Sequence, residues 1–316
     1  MENKNNHREI GRRRFLQTGA KVTASAMLVG LSTPRLTSAT KPDNKILPKI
    51  ESITLNNGVK MPMLGFGTYS LRGEDCRKYV AQAISHGYRL IDTATVYGNE
   101  EFVGAGIKDS GINRKELFIT SKVWVDDSGI EKAKKAFQTS LDKLGTDYLD
   151  LYLIHRPRGD VKGSWQAMEE LYRAGKIKAI GLSNFEPHQL DELLKYATVE
   201  PTVNQIESHA FFQQNAANEN LRKHNIRMEA WAPFAEGRNG LFCNPTLEEI
   251  GRQYNKTNAQ VSLRWHYQRG VVAIPRTSKK YHMMENLEIF DFALSDADME
   301  KIGTLDLNIT HFPEWE

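Results

Sequence analysis

Cysteine is nearly absent: in 316 residues only Cys76 and Cys243 occur, far apart along the chain. A disulfide framework and a cysteine-built zinc site are both excluded, so the fold must stand on its core. No internal repeat or low-complexity tract is present, which excludes solenoid and collagen-like architectures. Long apolar runs are also missing. The best candidate, "KVTASAMLVGL" at 21–31, falls short of the ~18 residues that cross a bilayer and is interrupted by Lys21. No stable membrane anchor is expected. No Gly-x-Gly-x-x-Gly follows an early strand, so the usual dinucleotide fingerprint is lacking.

What is present begins with a three-part N-terminus: "MENKNNHREIGRRRFLQTGA" is polar and basic, the next stretch mildly apolar, and "STPRLTSAT" small and polar. That order is a secretory leader. Arg12, Arg13, Arg14, Phe15 and Leu16 resemble the twin-arginine signal, which implies engagement of the twin-arginine (Tat) export machinery and a folded passage to the periplasm. Residues 1–39 are read as the leader, with cleavage after Ala39, and 40–316 as one folded domain. The leader holds seven of the 42 basic and two of the 39 acidic side chains, leaving 35 against 37 in the mature chain. A near-neutral protein without a basic stripe interleaved with aromatics is not expected to bind nucleic acid. A monomer is expected.

From residue 50 the pattern becomes regular. "SITLNNGVKMPML" reads as a small hairpin turning at Asn57-Gly58, the dipeptide that tight hairpins favour. Short apolar runs then alternate with amphipathic ones. Strands are predicted at 64–67, 89–92, 117–122, 149–155, 177–183, 203–207, 227–231 and 271–274. Between them lie helical-period segments such as "GIEKAKKAFQTSLDKLG", whose Ile130, Ala133, Ala136, Phe137, Leu141 and Leu144 share one face. Eight strand-then-helix units in one domain predict an α/β fold, a (β/α)8 TIM barrel with a short N-terminal β-hairpin.

Barrel enzymes place their chemistry at the carboxyl ends of the strands. Here those ends carry Asp92 with Tyr97 five residues on, Lys122, His155, Ser183 with Asn184, Gln205, Trp231 and Arg276. Each alone has an ordinary structural reading: a loop tyrosine, a strand-flanking lysine, a capping histidine, a core tryptophan. Their convergence on one face marks a site. The mouth lacks a clustered His and carboxylate set, which argues against a metal-dependent hydrolase.

Three segments resemble the aldo-keto reductase family over roughly residues 50–305: "GYRLIDTATVYGNEE", "LGTDYLDLYLIHRP" and "IPRTSKKYHMMENLEIFDF". "WAPFAEGRNGLFCNP" is similar to the bacterial branch that includes 2,5-diketo-gluconate reductases. The resemblance implies a nicotinamide cofactor bound over the barrel mouth without a Rossmann domain, and reduction of a small-molecule carbonyl. It gives the proton-donor role to Tyr97. A free phenol, with a pKa near ~10, is a weak acid at neutral pH, so a neighbouring cation is needed to lower it. Lys122 matches that cation, Asp92 holds it, and His155 polarises the substrate oxygen. Thr93 and Thr95 are left as structural.

For the cofactor, Trp231 matches the aromatic that stacks on the nicotinamide, and Ser183, Asn184 and Gln205 match residues that bond its carboxamide. Arg276 and Thr277 match those that hold an adenosine 2′-phosphate, which favours NADPH, with NADH possible. Thr68, Ser278, His282, Glu285 and Asn286 complete the expected set. Two positions depart from the family: Ala232 stands where Ser is frequent, and His282 where Arg is frequent. Imidazole stacks on adenine but carries little charge at neutral pH, so the preference for NADPH is expected to be weaker. Tyr69 and Trp124 match pocket-lining aromatics, and the short tail "LDLNITHFPEWE" implies an open pocket with broad acceptance of aldehydes and ketones. The rival reading is a non-enzymatic nicotinamide-binding sensor or channel-associated protein. The intact set of Asp92, Tyr97, Lys122 and His155 argues against it.

Overall fold

The computed structural model describes residues 50–315; the predicted leader, residues 1–39, lies outside them. A two-stranded antiparallel hairpin, β1 (Ser52–Thr54) and β2 (Lys60–Pro62), precedes eight parallel strands. These are β3 (Gly65–Gly67), β4 (Leu90–Asp92), β5 (Phe118–Val123), β6 (Leu151–Ile154), β7 (Ile180–Ser183), β8 (Val203–Glu207), β9 (Arg227–Trp231) and β10 (Val272–Ala273). They neighbour one another in sequence order, and the Leu64–Ala273 bridge closes the ring. The (β/α)8 expectation is met.

Helices α1 (Gly73–Ser85), α2 (Glu100–Ser110), α3 (Ile130–Leu144), α4 (Val161–Arg173), α5 (Pro187–Leu194) and α6 (Asn215–Lys223) each follow one strand. α7 (Pro245–Tyr254) and α8 (Asn258–Gln268) follow β9, α9 (Lys280–Leu287) follows β10, and α10 (Asp296–Gly303) trails. α3 buries Ala133, Ala136, Phe137, Leu141 and Leu144, the face that its period predicts. Gly145 ends it in the left-handed conformation at φ 65°, which costs glycine no Cβ clash.

The hairpin turn differs from the predicted dipeptide. The Gly58 amide donates to the Leu55 carbonyl at 2.9 Å, so Asn56 and Asn57 are the central residues and Gly58, at φ 85°, closes a three-residue connection. The positive φ belongs to the glycine, which moves the turn one residue back.

Strands buried on both faces still alternate. One set packs outward against the helices. The other points into the barrel, where its lower layer is apolar: Leu90, Phe118, Leu151, Leu153, Val203 and Val272 cluster with Leu55, Met61 and Met63 of the hairpin. The hairpin therefore stoppers the bottom of the barrel. One layer higher, the same faces of β4, β5, β8 and β9 carry Asp92, Lys122, Gln205 and Glu229, all buried. Gly67 on β3 is required at this level, because a Cβ there would lie 2.7 Å from the Ile274 carbonyl oxygen.

Candidate active site

The polar layer opens upward into a cavity of about 980 Å³ at the carboxyl ends of the strands. Lys122 on β5 has a fully buried side chain, and its ammonium donates to Asp92 Oδ1 at 2.7 Å and to the Thr93 carbonyl at 2.8 Å. Burial opposes the charge, but Asp92, Tyr97 and Glu229 outweigh it and hold Lys122 above its ordinary value.

Tyr97 ends the short 3-10 turn Thr95–Tyr97, fixed by the Thr95 hydroxyl on the Lys122 carbonyl at 3.0 Å. The Thr93 hydroxyl donates to Asn99 at 2.8 Å, and Asn99 in turn donates to the Thr68 and Leu71 carbonyls. Both threonines are thus structural, and buried Asn99 is a support that the residue pattern did not reveal. The Lys122 nitrogen lies 5.1 Å from the Tyr97 ring centroid. Burial raises the Tyr97 phenol, while Lys122, hydrogen-bonded to it, pulls the other way and only partly offsets the rise. The expected net lowering is not what the chain alone produces. Desolvation, which disfavours a phenolate, wins in a pocket this deep.

His155 follows β6 and meets Tyr97 edge-on at 5.7 Å and Trp124 at 5.1 Å; Tyr69 meets Tyr97 at 5.2 Å. Burial first, then the charges of Lys122 and Arg156, holds His155 well below the usual imidazole range. Held that low, it is uncharged at pH 7 and can engage a ligand through a hydrogen bond. Among the described residues, no group of three or more His, Cys, Asp or Glu side chains is placed to hold a metal.

The aldo/keto reductase family model matches residues 63–306. The chain belongs to the aldo/keto reductase family. Glyoxal reductase of Bacillus subtilis (strain 168) is 49% identical over 257 residues, covering 81% of this chain and 92% of that protein. Among solved structures, the aldo-keto reductase MGS-M4 from a Medee basin deep-sea metagenome library superposes with a TM-score of 0.81 at 42% identity, over 83% of this chain and 97% of that one. A Bombyx mori aldo-keto reductase in complex with NADP does so with a TM-score of 0.79 at 32% identity, over 84% and 97%. As an aldo/keto reductase, this chain is an NAD(P)H-dependent oxidoreductase.

In this aldo/keto reductase the cavity is lined by Tyr69, Tyr97, Trp124 and His155, by Arg276, Thr277, Ser278 and His282, and by Asp92, Ser183, Asn184, Gln205 and Trp231. The Asn184 amide is committed within the protein: it donates to the His155 carbonyl at 3.0 Å and to the Ser183 hydroxyl at 2.9 Å, and accepts from the Trp231 indole at 2.8 Å. Its placement orients Trp231, with the backbone held at φ 61°. Ala232, at φ 47°, offers no hydroxyl. Thr277 accepts from the Lys279 amide at 3.1 Å and lies 3.4 Å from His282 Nδ1.

Four expected residues stand behind the lining. The Thr68 hydroxyl is buried and donates to the Asp92 carbonyl at 2.9 Å, so it braces the strand end. Lys122 acts from beneath Tyr97. Asn286 is buried and hydrogen-bonded to Tyr88, and the Glu285 carbonyl accepts from Gln260 at 3.0 Å. Neither Glu285 nor Asn286 borders the cavity.

The tail is anchored beside the pocket. The Glu207 carboxylate takes hydrogen bonds from the Thr310 hydroxyl at 2.6 Å and the His311 amide at 2.9 Å, and buried His209 sits 2.9 Å away. Phe312 is thereby buried against Trp231, and Trp315 lies 4.6 Å from Phe312, 5.3 Å from Trp231 and 5.2 Å from Tyr69. Arg238 clamps the strap through the His311 carbonyl and Glu314. The short tail borders the cavity because two aromatic residues near its end reach Trp231 and Tyr69. The "HFPEW" aromatics are plain in the sequence, but their anchor on Glu207 is not.

Proposed function

We propose that the protein is an exported, monomeric NADPH-dependent reductase of aldehydes and ketones in which Tyr97 is the general acid. The observation that carries this reading is the fully buried Lys122–Asp92 pair at 2.7 Å beneath a tyrosine that opens, beside neutral His155, on a large cavity. A surface ion pair would need no such burial.

The donor set fits a nicotinamide dinucleotide. Trp231, held by Asn184, offers a face for the ring; the Ser183 hydroxyl and Gln205 amide suit its carboxamide; Arg276 suits a 2′-phosphate by a bidentate fork. Bound NADPH supplies the hydride that reduces the carbonyl carbon. Tyr97 gives its proton to the carbonyl oxygen, Lys122 stabilises the phenolate left behind, and Tyr97 is reprotonated from solvent. His155 donates a hydrogen bond to the same oxygen as charge develops there. The small dicarbonyl named for the Bacillus relative is the first substrate to try.

Titration of tryptophan fluorescence with NADPH and NADH, followed by aldehyde-dependent oxidation of the reduced dinucleotide, tests this. Quenching and turnover are expected; binding without turnover on any carbonyl would move the assignment to a sensor. In the same assay His282→Arg is expected to tighten NADPH, but not NADH, by about fivefold, since it adds roughly 1 kcal/mol of charge-assisted contact. Equal gains for both dinucleotides would remove His282 from the 2′-phosphate site.

Residues 1–39 are proposed as a twin-arginine leader that delivers the enzyme, already folded, to the periplasm. Folded export allows the cofactor to travel inside the protein, and repeated turnover then needs a second substrate that reduces it again. Arg12→Lys with Arg13→Lys is expected to hold the full chain in the cytoplasmic fraction. Continued export of that variant would identify a leader of another type.

A further inference from the structure

Glu229 on β9 is a buried carboxyl that the proton-transfer steps leave unused. It points into the barrel beside Asp92 and Gln205, and it has no exposed surface. Gln205 Nε2 donates to Asp92 Oδ2 at 2.9 Å and to Glu229 Oε2 at 2.8 Å, so both amide hydrogens go to carboxyl groups in the barrel interior. The orientation is not interchangeable. Turning the amide over would set its carbonyl oxygen against the charged Asp92 oxygen at the same distance. The Gln205 carbonyl oxygen is therefore left for the cavity, which Gln205 borders.

We propose that Glu229 is a positioning residue for the cofactor: by taking one Gln205 hydrogen while Asp92 takes the other, it fixes the amide with its carbonyl toward the nicotinamide carboxamide. This rests on the reductase reading above. The same bonds tie the cofactor-facing amide to the Asp92–Lys122 pair, so the dinucleotide subsite and the proton donor share one support. Burial and Asp92 push Glu229 up to about 8, against the opposing pull of Gln205 and Lys122. Burial thus favours the uncharged acid, the form that an amide mimics.

Glu229→Met keeps the volume and removes the acceptor, whereas Glu229→Gln keeps an acceptor oxygen. The dissociation constant for NADPH, from tryptophan fluorescence, is expected to rise about tenfold in Glu229→Met, equivalent to about 1.4 kcal/mol, and to stay within about threefold of wild type in Glu229→Gln. The KM for aldehyde is expected to move less than about twofold in either. A purely structural role would lower the thermal midpoint without separating the two variants in NADPH affinity. Should Glu229→Met not fold, Glu229→Asp, which draws the acceptor back, is expected to raise the NADPH constant. Wild-type affinity in the folded variant that lacks or withdraws the acceptor overturns the role of Glu229 alone. If the wild-type chain binds no dinucleotide, the reductase reading fails and this inference fails with it.

Discussion

Tyr97→Phe is expected to lower kcat/KM for aldehyde reduction by about 10²- to 10⁴-fold, the usual span for losing a positioned general acid. The dissociation constant for NADPH should stay within about twofold. The separation follows from the geometry. The ring makes edge contacts to Tyr69 at 5.2 Å and His155 at 5.7 Å, and phenylalanine keeps both. Only the hydroxyl above Lys122 is removed, and the proposed dinucleotide contacts involve other residues. Because burial raises the phenol above its ordinary value, Tyr97 stays protonated through neutral pH. Wild-type reduction should accordingly hold across neutral pH and fall only when the phenol ionises under alkaline conditions. A Phe variant that reduces aldehydes at the wild-type rate would remove Tyr97 from the chemistry.

Lys122→Met is expected to remove about 3–5 kcal/mol of stability, because it leaves the Asp92 carboxylate buried beside no cation. Asp92 Oδ2 still accepts from Gln205, but Oδ1 loses its partner at 2.7 Å. Adding Asp92→Asn should restore most of the stability and none of the activity. That contrast separates the ion pair's structural role from its action on Tyr97. Urea midpoints and single-turnover rates of the two single variants and the double variant measure it. The sign with pH follows from the raised Lys122: the pair's contribution is complete below 10.5 and is lost only as pH climbs beyond it. A Lys122→Met protein as resistant to urea as wild type would mean that Asp92 carries no charge in the folded chain.

The barrel was legible because its strands are short, apolar and evenly spaced, and its helices show period without ambiguity: β8, β9 and α3 fall on the residues that the pattern predicts. The strand ends were legible too, since a titratable side chain closing an apolar run has few packing reasons to be there. Glu229 was not. It sits inside "RMEAW", and only the inward alternation shared with Gln205 and Asp92 shows that its carboxyl enters the barrel rather than capping a strand. Trp315 was hidden for another reason. Its place over Trp231 depends on Glu207, about a hundred residues earlier, and no local pattern encodes so distant an anchor. The hairpin turn was misplaced by one residue because Asn56 and Asn57 are equally good turn formers and only the positive φ of Gly58 decides between them.

The hairpin stopper also bears on the proposed proton transfer. With Leu55, Met61 and Met63 packed into the apolar layer below, the buried groups Glu229, Gln205, Asp92 and Lys122 lie between that layer and Tyr97. In the proposed mechanism, each proton that Tyr97 gives away would return through the mouth, the same door by which the alcohol would leave. Proton recovery and product departure would then share one exit, and a slow-leaving product would delay both.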